Sequence, residues 1–371
     1  MKRRQGLIAG ASLPFLPLAA HCAGATGRTS LNFPRDFGSH PDFAIEWWYL
    51  TGQLLVDTGT PARAFGFQLT FFRTRVPVTQ GMSSAFAAKQ LIFAHAAVTD
   101  VTGKRLLHDQ RIARSSGSPE MDMAFANTQG TDLKLDNWLL KREATGYRAQ
   151  ASGSDFSMQL TLHETQALLL QGDQGWSRKG PDEQQASCYY SLPQLNASGR
   201  LQVAGQTFNV HGLAWLDHEW SQSLMHPDAV GWDWIGMNLL DGSALTAFRL
   251  RGKTGESIWA GGSFRTKNQA KPDVLDFNEV HFTPGRAWKS PASNTSYPVE
   301  WTVVLTRRSG AGTPNPERFT VKAVIDNQEL DSRQSTGAIY WEGLSEFFDS
   351  QGALVGRGYL EMTGYASPLK L

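Results

Sequence analysis

Apolar and polar residues alternate along much of the chain, which is the pattern of β-strands with one buried face. The segment 65–71, Phe-Gly-Phe-Gln-Leu-Thr-Phe, is the clearest example, and the nearly continuous apolar run 91–99 around His95 is also typical of a strand. Similar patterns predict further strands at 155–162, 199–203, 207–214, 243–250, 301–305, 319–324 and 356–363. Because no long segment has the 3.6-residue apolar period of an amphipathic helix, we predict an all-β fold.

Turn-forming residues separate these segments, at 57–59, 100–103, 241–242 and 253–255. So many strands would leave unpaired edges in open sheets, and closure into barrels removes such edges. We therefore expect the strands to form barrels.

An internal repeat relates the two halves of the chain. Five residues near the start match five in the second half, each pair 185 positions apart: Trp47, Tyr49, Gln53, Leu54 and Leu55 against Trp232, Trp234, Asn238, Leu239 and Leu240. Both sets lead into an apolar strand, and a turn-rich break lies at 221–231. The repeat predicts two related barrels, with an N-terminal domain at 26–226 and a C-terminal domain at 227–371.

The first 25 residues have the features of an export signal. Lys2, Arg3 and Arg4 precede an apolar run, and the small residues 23–25 offer an Ala-x-Ala cleavage site. The adjacent arginines are compatible with the twin-arginine route as well as the general export route. Beyond this segment no apolar stretch approaches the roughly 20 residues of a membrane helix. We expect a signal peptide at 1–25, a periplasmic or secreted mature protein, and no stable membrane insertion.

Charge and motifs exclude several function classes. Without the three basic leader residues, 32 of the 35 Lys and Arg remain against 34 Asp and Glu, so nucleic acid is not an expected partner. The sequence contains neither a Gly-x-Ser-x-Gly elbow nor a glycine-rich phosphate loop after a strand. His218 and Glu219 lack the second histidine of a zinc-binding helix motif. The sequence predicts no metal and no other cofactor, and it leaves the oligomeric state open.

Asp217 lies in a segment rich in aromatic residues, 211–220. In a strand, Trp215, Asp217 and Glu219 would share one face, while His218 and Trp220 would share the other. A carboxyl group held beside an indole in an apolar pocket keeps its proton more readily and can protonate a weakly basic substrate. The alternative is a structural or surface carboxylate, which the segment alone slightly favours.

Six motifs of the chain resemble a known family. They are Glu46-Trp47-Trp48-Tyr49 and the segments 93–100, 189–193, 215–221, 231–240 and 356–360. Together they resemble the lipocalin-like family of AttH proteins and carotenoid 1,2-hydratases (hydroxyneurosporene synthases), often labelled predicted secreted hydrolases. The resemblance extends from residue 33 to residue 365. It implies two tandem lipocalin-like (calycin) β-barrels packed against each other, with a hydrophobic cavity.

The resemblance also implies a site. In the carotenoid hydratases an aspartate is thought to protonate a terminal isoprenoid double bond, supported by a tyrosine two residues before it and by a histidine and a tryptophan on an upstream strand. Asp217 matches the aspartate, and Trp215 stands at the tyrosine position. Tyr189 and Ser191 are the nearest matches to the upstream histidine and tryptophan. The family therefore implies an acid at Asp217 but not the complete carotenoid hydratase site.

Other candidates have two interpretations each. Glu46 is either a second carboxylate of the site or the structural partner of an arginine such as Arg73 or Arg357. His95 is either a hydrogen-bonded core histidine or a base. The predicted catalytic residues are Asp217, Trp215, Glu46 and Tyr189. The predicted ligand-binding residues are aromatic and histidine side chains of the same motifs: Trp47, Trp48, Tyr49, His95, Tyr190, His218, Trp220, Trp232 and Trp234.

Three functions are compatible with these features. The first is an acid-catalysed hydratase or isomerase that acts on a C=C bond of a hydrophobic, isoprenoid or lipid-like substrate at the barrel interface. The second is a non-catalytic periplasmic carrier of a hydrophobic ligand. The third is a secreted hydrolase, which would need a nucleophile such as Ser191 or Ser221. A hydrophobic small molecule is the expected partner in the first two cases.

Overall fold

Strands dominate the molecule, as the alternating pattern predicts. The computed structural model describes residues 30–57, 63–84, 86–117, 122–223, 225–308 and 313–369. Within these ranges there are 25 β-strands and three short 3-10 helical turns, Arg35–Phe37, Pro77–Thr79 and Phe277–Glu279, but no α-helix. No helical segment of the described ranges is long and apolar enough to span a membrane. The predicted signal peptide, residues 1–25, lies outside the described residues.

Thirteen strands form one sheet, which curls into a nearly closed barrel that we call the first barrel. They are β1 (Ile45–Val56), β2 (Ala64–Arg75), β3 (Gln90–Asp100), β4 (Arg105–Ser115), β5 (Ala124–Ala126), β6 (Asp132–Leu135), β7 (Trp138–Glu143), β8 (Gly146–Ser152), β9 (Phe156–His163), β10 (Leu169–Leu170), β11 (Trp176–Arg178), β12 (Ala186–Val203) and β13 (Gln206–Ser221). The order is β4-β3-β2-β1-β13-β12-β9-β8-β7-β6-β5, with β10 and β11 paired to β12. The end strands β4 and β5 approach each other, so little of the sheet edge is left open.

Ten strands form the second sheet, here called the second barrel. They are β14 (Gly231–Leu239), β15 (Ala244–Arg251), β16 (Ser257–Arg265), β17 (Asp273–Leu275), β18 (Val280–Pro284), β21 (Glu300–Arg308), β22 (Pro314–Ala323), β23 (Glu329–Asp331), β24 (Ile339–Phe348) and β25 (Leu354–Met362). The order is β17-β16-β15-β14-β25-β24-β22-β21-β18, with β23 paired to β24. A separate hairpin consists of β19 (Ala287–Lys289) and β20 (Ser296–Pro298).

The two sheets have related strand orders. In the first barrel β1 lies between β2 and the last strand, β13, and in the second barrel β14 lies between β15 and the last strand, β25. The repeated residues occupy these equivalent strands, with Trp47 and Tyr49 in β1 and Trp232 and Trp234 in β14. The expectation of two tandem β-barrels is confirmed. The chain passes from one sheet to the other between β13 and β14, and the domain boundary at residue 226 remains a prediction.

The interior of the first barrel is filled by its own residues. Trp48 and Leu216 from the central strands are buried there, and the segment before β1 contributes Phe33 and Phe37. The rings of Phe33 and Phe37 lie 5.2 and 6.0 Å from the ring of Tyr190, edge to face. Lipocalin barrels can hold a small ligand in their interior, whereas here the chain before β1 occupies that space.

The barrels pack against each other through their outer faces. An apolar cluster of its own joins them, with Tyr49 and Trp215 from the first barrel and Trp234, Phe248 and Leu344 from the second. Buried hydrogen bonds across the interface join Thr99 to Gln328, Gln171 to Thr246 and Gln194 to Asn238. The outer faces of both barrels are therefore buried where the central strands meet.

Candidate active site

A cavity lies between the outer faces of the two barrels. The space between its wall atoms amounts to about 1040 Å³, part of which is open to solvent. Its wall is largely apolar and includes Phe72, Phe93, Trp232, Phe248 and Leu250. Four carboxyl side chains also line it: Asp217, Glu219, Glu342 and Glu361. An apolar cavity with a few convergent polar groups is typical of sites for small hydrophobic ligands.

A row of side chains on the first barrel faces the cavity region. Directly paired residues of an antiparallel sheet point to the same face. Strand pairing places Ser191 of β12 beside Asp217 of β13, followed by Tyr49 of β1, Thr70 of β2 and His95 of β3. Asp217 therefore lies in the middle of the sheet, where strand register on both sides fixes its position.

Three donors hold the Asp217 carboxyl group. Trp215 Nε1 donates to Oδ1 over 2.7 Å, and Ser191 Oγ donates to the same oxygen over 2.5 Å. The Tyr189 hydroxyl donates to Oδ2 over 2.8 Å, and it accepts a hydrogen bond of 3.3 Å from Trp234 Nε1. Because Trp234 belongs to the second barrel, both barrels position the acid.

Burial raises the pKa of Asp217 from its ordinary value of 3.8 to about 7, against the effect of the three donors and with a smaller contribution from the charge of Glu219. An indole N–H can only donate, so Oδ1 remains an acceptor when the acid is neutral. The proton then resides on Oδ2, beside the Tyr189 oxygen. Asp217 is consequently a neutral acid with a transferable proton at pH values below about 7.

Lys179 places a cation in the cavity wall. Its Nζ lies 2.9 Å from Oε1 of Glu219 and above the rings of Phe248 and Tyr189, 4.3 and 5.0 Å from their centroids. The Glu219 carboxylate is therefore neutralised by an ion pair. Among the described residues, no basic side chain forms such a pair with Asp217.

Two glutamates of the second barrel form a carboxyl pair in the same cavity. Strand pairing places Glu342 of β24 directly beside Glu361 of β25, which in turn pairs with Trp234 of β14. Burial raises the pKa of Glu342 well above its usual range, and the charge of Glu361 adds to this. Burial also raises the pKa of Glu361 to about 7, with further contributions from the charges of Asp217 and Glu219. Since adjacent carboxylates in an apolar wall repel each other, the pair retains a proton at neutral pH.

His95 links the two barrels. Its Nδ1 lies 2.7 Å from the Tyr340 hydroxyl and its Nε2 lies 2.8 Å from Ser335 Oγ. Burial lowers the pKa of His95 to about 3, with His108 contributing. An imidazole with such a low pKa is a poor base at neutral pH. Of the two interpretations, the hydrogen-bonded structural histidine is therefore the better supported.

The structure brings most of the predicted site residues together. Those that line the cavity are Trp47, Tyr49, His95, Tyr189, Asp217, Trp232 and Trp234. Trp215 joins them through its hydrogen bond to Asp217. The alternation predicted for segment 211–220 thus places Trp215 and Asp217 on the face that meets the second barrel.

Five predicted residues lie elsewhere. Consecutive strand residues point to opposite faces, and the inner face of the first barrel holds Glu46, Trp48, Tyr190, His218 and Trp220. The prediction of Glu46 as a catalytic residue and of the other four as ligand-binding residues did not distinguish the two faces of β1, β12 and β13. Their placement inside the barrel gives them a structural role in its core.

Glu46 is the centre of a buried polar network. Its Oε1 accepts from His40 Nδ1 over 2.7 Å and from His218 Nε2 over 2.9 Å, and its Oε2 accepts from Arg73 Nε and Ser39 Oγ, each over 2.8 Å. Although burial opposes it, the hydrogen bonds from His218 and His40 hold the pKa of Glu46 well below its usual range. His40, Glu46 and His218 bring potential metal ligands within 4.8 Å of one another, but the Arg73 guanidinium already supplies the positive charge. The structure therefore pairs Glu46 with Arg73, one of the two arginines named for its structural interpretation.

Sequence reasoning missed Lys179, Glu342 and Glu361. Each glutamate does have a signal, since it is a charged residue inside an otherwise apolar strand segment, at 340–344 and 358–362. That signal does not show which residues are neighbours. The pairing of β24 with β25 was needed to bring the two carboxyl groups together.

The fold and the site define a class of protein: a tandem lipocalin-like β-barrel protein with a buried acid in a cavity between the barrels. The AttH-like family matches residues 24–365. Since this is nearly the whole chain, the chain belongs to the AttH-like family, and the resemblance inferred from the motifs is confirmed. No curated protein sequence matches the chain.

Solved structures share the architecture. The chain is similar to an AttH protein from Nitrosomonas europaea, with 43% sequence identity over 92% of this chain and 99% of that chain and a TM-score of 0.82. It is also similar to kievitone hydratase from Nectria haematococca, with 16% identity over 87% of this chain and 89% of that chain and a TM-score of 0.65. CghA has 10% identity over 87% and 88% of the two chains and a TM-score of 0.51. At these identities the last two show a common fold.

Proposed function

We propose that this protein binds an unsaturated hydrophobic molecule, isoprenoid or lipid-like, in the cavity between the barrels and catalyses acid-assisted hydration or isomerisation of a C=C bond. The observation that carries the proposal is Asp217, a buried acid with a raised pKa beside an aromatic cavity. Strongly perturbed acids in clefts are candidates for catalysis because a proton donor works best with a pKa near the operating pH. The fold shared with kievitone hydratase is compatible with this proposal.

The chemistry follows from the groups around the acid. Neutral Asp217 transfers its proton from Oδ2 to one alkene carbon, and the neighbouring carbon becomes a carbocation. Hydrogen bonds from Trp215 and Ser191 stabilise the carboxylate that remains. The indole rings of Trp47 and Trp232 line the cavity, and an indole face next to the cation would stabilise it. Addition of water then gives an alcohol, whereas loss of a different proton gives an isomerised alkene.

The support around Asp217 differs from that of the carotenoid hydratases. Where the resemblance implies a histidine and a tryptophan, Tyr189 and Ser191 donate directly to the carboxyl group. The acid thus retains two hydrogen-bonding neighbours of different chemistry. We therefore propose a substrate other than a carotenoid, with the same kind of first step.

The two alternative functions have different support. A carrier needs only the apolar cavity, which is present. A hydrolase needs an activated nucleophile, and Ser191 instead donates to Asp217 and accepts from Gln171 Nε2. Neither Ser191 nor Ser221 has an imidazole partner among the described residues. We therefore retain the carrier as the second candidate.

A labelling experiment tests the enzyme against the carrier. The protein is incubated with geranylgeraniol, squalene or lycopene in oxygen-18 water, and products are identified by mass spectrometry. Wild type should form a labelled alcohol or a shifted double bond from at least one of them. In Asp217→Asn the rate of product formation should fall by a factor of at least about 10², because asparagine has no transferable carboxyl proton. The exposed Asp228 provides the matched control Asp228→Asn, which should behave as wild type.

Binding is measured in parallel from the quenching of tryptophan fluorescence. Retained binding with lost conversion in Asp217→Asn supports the enzyme. Binding without conversion in wild type supports the carrier. An absence of binding for all three compounds contradicts both functions for this substrate class.

We also propose that the mature protein is exported, on the basis of segment 1–25. Sequencing the N-terminus of the protein from a periplasmic fraction should give Thr26 as the first residue. An uncleaved chain confined to the cytoplasm would contradict export.

A further inference from the structure

The internal repeat extends from the first strand of each barrel to the site itself. Tyr49 and Trp234 are equivalent positions of the repeat, in β1 and β14. Tyr49 pairs with Asp217 on the last strand of the first barrel, and Trp234 pairs with Glu361 on the last strand of the second. Glu361 is therefore the structural counterpart of Asp217. Each barrel contributes one acid to the cavity from an equivalent position.

The strands that precede β13 and β25, namely β12 and β24, are also equivalent, but they carry different residues beside the two acids. Asp217 pairs with Ser191 of β12, whereas Glu361 pairs with Glu342 of β24. The first site thus holds one carboxyl group with a hydroxyl donor, and the second holds two carboxyl groups side by side. Two adjacent carboxyl groups that hold one proton between them still have one carboxylate, which can accept a second proton.

The Glu342–Glu361 pair can accept further hydrogen bonds from a bound molecule. Glu342 is 4% exposed, and its Oε1 has no hydrogen bond of normal geometry among the described residues, although the nearby Tyr49 and Tyr340 hydroxyls act to lower its pKa against the effect of burial. No described basic side chain forms an ion pair with Glu342 or Glu361. A buried acceptor without a well-formed hydrogen bond is uncommon in a folded protein and needs an explanation, such as a bound water molecule or a catalytic role. A water molecule or a substrate hydroxyl is the kind of group that would satisfy it.

We propose that the Glu342–Glu361 pair is the second acid-base centre of the cavity and accepts the proton of the water molecule that adds to the substrate. The inference rests on the proposed hydratase function of Asp217 and assigns its base. The charged and titratable groups that face the pair are Asp217, Glu219, Tyr49, Tyr340 and Tyr359. The Lys179 ammonium is engaged by Glu219.

The complete step balances as follows. The alkene π electrons take the proton of Asp217 and form a new C–H bond, which leaves a carbocation on the neighbouring carbon. A lone pair of water forms the C–O bond, and the electrons of one O–H bond return to oxygen as its proton moves to a carboxylate oxygen of the pair. The net reaction adds one water molecule to the double bond. After product release, the pair loses its extra proton to solvent and Asp217 regains one from solvent.

Two labels separate the roles of the two centres. Deuterium from heavy water enters recovered alkene when Asp217 protonates the double bond reversibly, and this requires no second base. Oxygen-18 enters the alcohol only when water also adds. The compounds are again geranylgeraniol, squalene and lycopene, and thermal unfolding confirms that each variant is folded.

Glu361→Gln should retain deuterium exchange and lose oxygen-18 incorporation by about 10²-fold or more, the usual contribution of a general base. Glu219→Gln should shift the acidic limb of the pH profile of hydration to lower pH, because the charge of Glu219 raises the pKa of Glu361. Glu346 lies on the same strand as Glu342, is partly exposed and pairs with Arg357. Its matched variant, Glu346→Gln, should leave both labels and the pH profile unchanged.

The outcomes distinguish this inference from the proposed function. If wild type incorporates both labels and Glu361→Gln still hydrates at the wild-type rate, the base is elsewhere and the inference is overturned while Asp217 keeps its role. If wild type incorporates neither label from any compound, the proposed function fails and the inference fails with it. If Glu361→Gln does not fold, an unchanged acidic limb in Glu219→Gln overturns the inference, and an acidic limb shifted to lower pH supports it.

Discussion

The raised pKa of Asp217 predicts a pH-dependent contribution to stability that Asp217→Asn removes. The folded protein holds the Asp217 proton up to about pH 7, whereas an unfolded chain releases it near pH 3.8. Between these values the folded state binds more protons, so the free energy of unfolding falls as the pH rises. The contribution is fully present below pH 3.8 and is lost as the pH rises through about 7. Asparagine does not titrate and has no such dependence.

The size of the effect follows from the same two values. Each pH unit between the unfolded pKa of 3.8 and the folded pKa of about 7 changes the free energy of unfolding by about 1.4 kcal/mol, which amounts to about 4 kcal/mol over the whole interval. An unfolding entropy of about 2.1 cal/mol/K per residue over the mature chain gives about 0.7 kcal/mol/K. The difference in melting temperature between variant and wild type should therefore change by roughly 5 to 6 °C over this range.

The assay is thermal unfolding followed by circular dichroism from about pH 3 to about pH 9. Other groups also titrate, since the pKa values of His95 and His218 are lowered by burial to about 3 and about 4. These histidines favour the folded state at higher pH and are common to both proteins. They therefore cancel in the difference between variant and wild type, which reports Asp217 together with its effect on the pKa of Glu361. Asp228→Asn, at an exposed aspartate, should give a difference that does not vary with pH.

Two results would refute the reasoning. If the variant and wild-type melting temperatures run parallel, Asp217 titrates at the same pH in the folded and unfolded states and is not a desolvated acid. If the variant becomes relatively less stable as the pH rises, Asp217 is a stabilised carboxylate whose folded pKa is lowered. Either result would also remove the observation on which the proposed proton transfer rests.

Two further predictions concern the scaffold. Glu46→Gln leaves the buried Arg73 guanidinium without its counter-charge and should lower the free energy of unfolding, measured by urea denaturation, by about 3 to 5 kcal/mol. The control Glu164→Gln removes a partly exposed ion pair and should cost about 1 kcal/mol or less. Equal losses in the two variants would contradict the buried network. Gly66→Val places a Cβ 2.7 and 2.9 Å from atoms of the second barrel. Gly66→Val should therefore loosen the barrel interface and raise the rate of amide hydrogen exchange there. Gly130→Ala adds a Cβ with nothing within 4 Å and should leave that rate unchanged. An unchanged rate in Gly66→Val would contradict the close packing at Gly66.

Strand alternation predicted the fold well because it is a local property. The segment 65–71 lies within β2, and the segments 199–203 and 207–214 lie within β12 and β13. The repeat at Trp47 and Trp232 correctly indicated equivalent strands. The lengths of β12 and β13 were underestimated. The first part of β12 and the last part of β13 mix aromatic and polar residues on both faces, so residue types do not alternate there.

The site was only partly predictable for a physical reason. Alternation separates Asp217 from His218, but it does not say which face becomes the interior of a barrel, and both faces of these strands are rich in aromatic residues. Glu46 was assigned to the site although its partners are inside the first barrel. Glu361 was missed because its equivalence to Asp217 exists only through strand pairing, and the two residues have no common spacing in the sequence.

The position of the cavity outside both apolar interiors has a consequence for how such proteins diversify. Each barrel core is complete without the side chains of the cavity wall. A substitution at Trp47, Phe248 or Leu250 would change the shape offered to a ligand while leaving the two cores intact. Under the proposed function, substrate preference can therefore change during evolution without a matching loss of folding, so that one architecture accepts different molecules. In laboratory evolution, the same wall residues are the positions to randomise first.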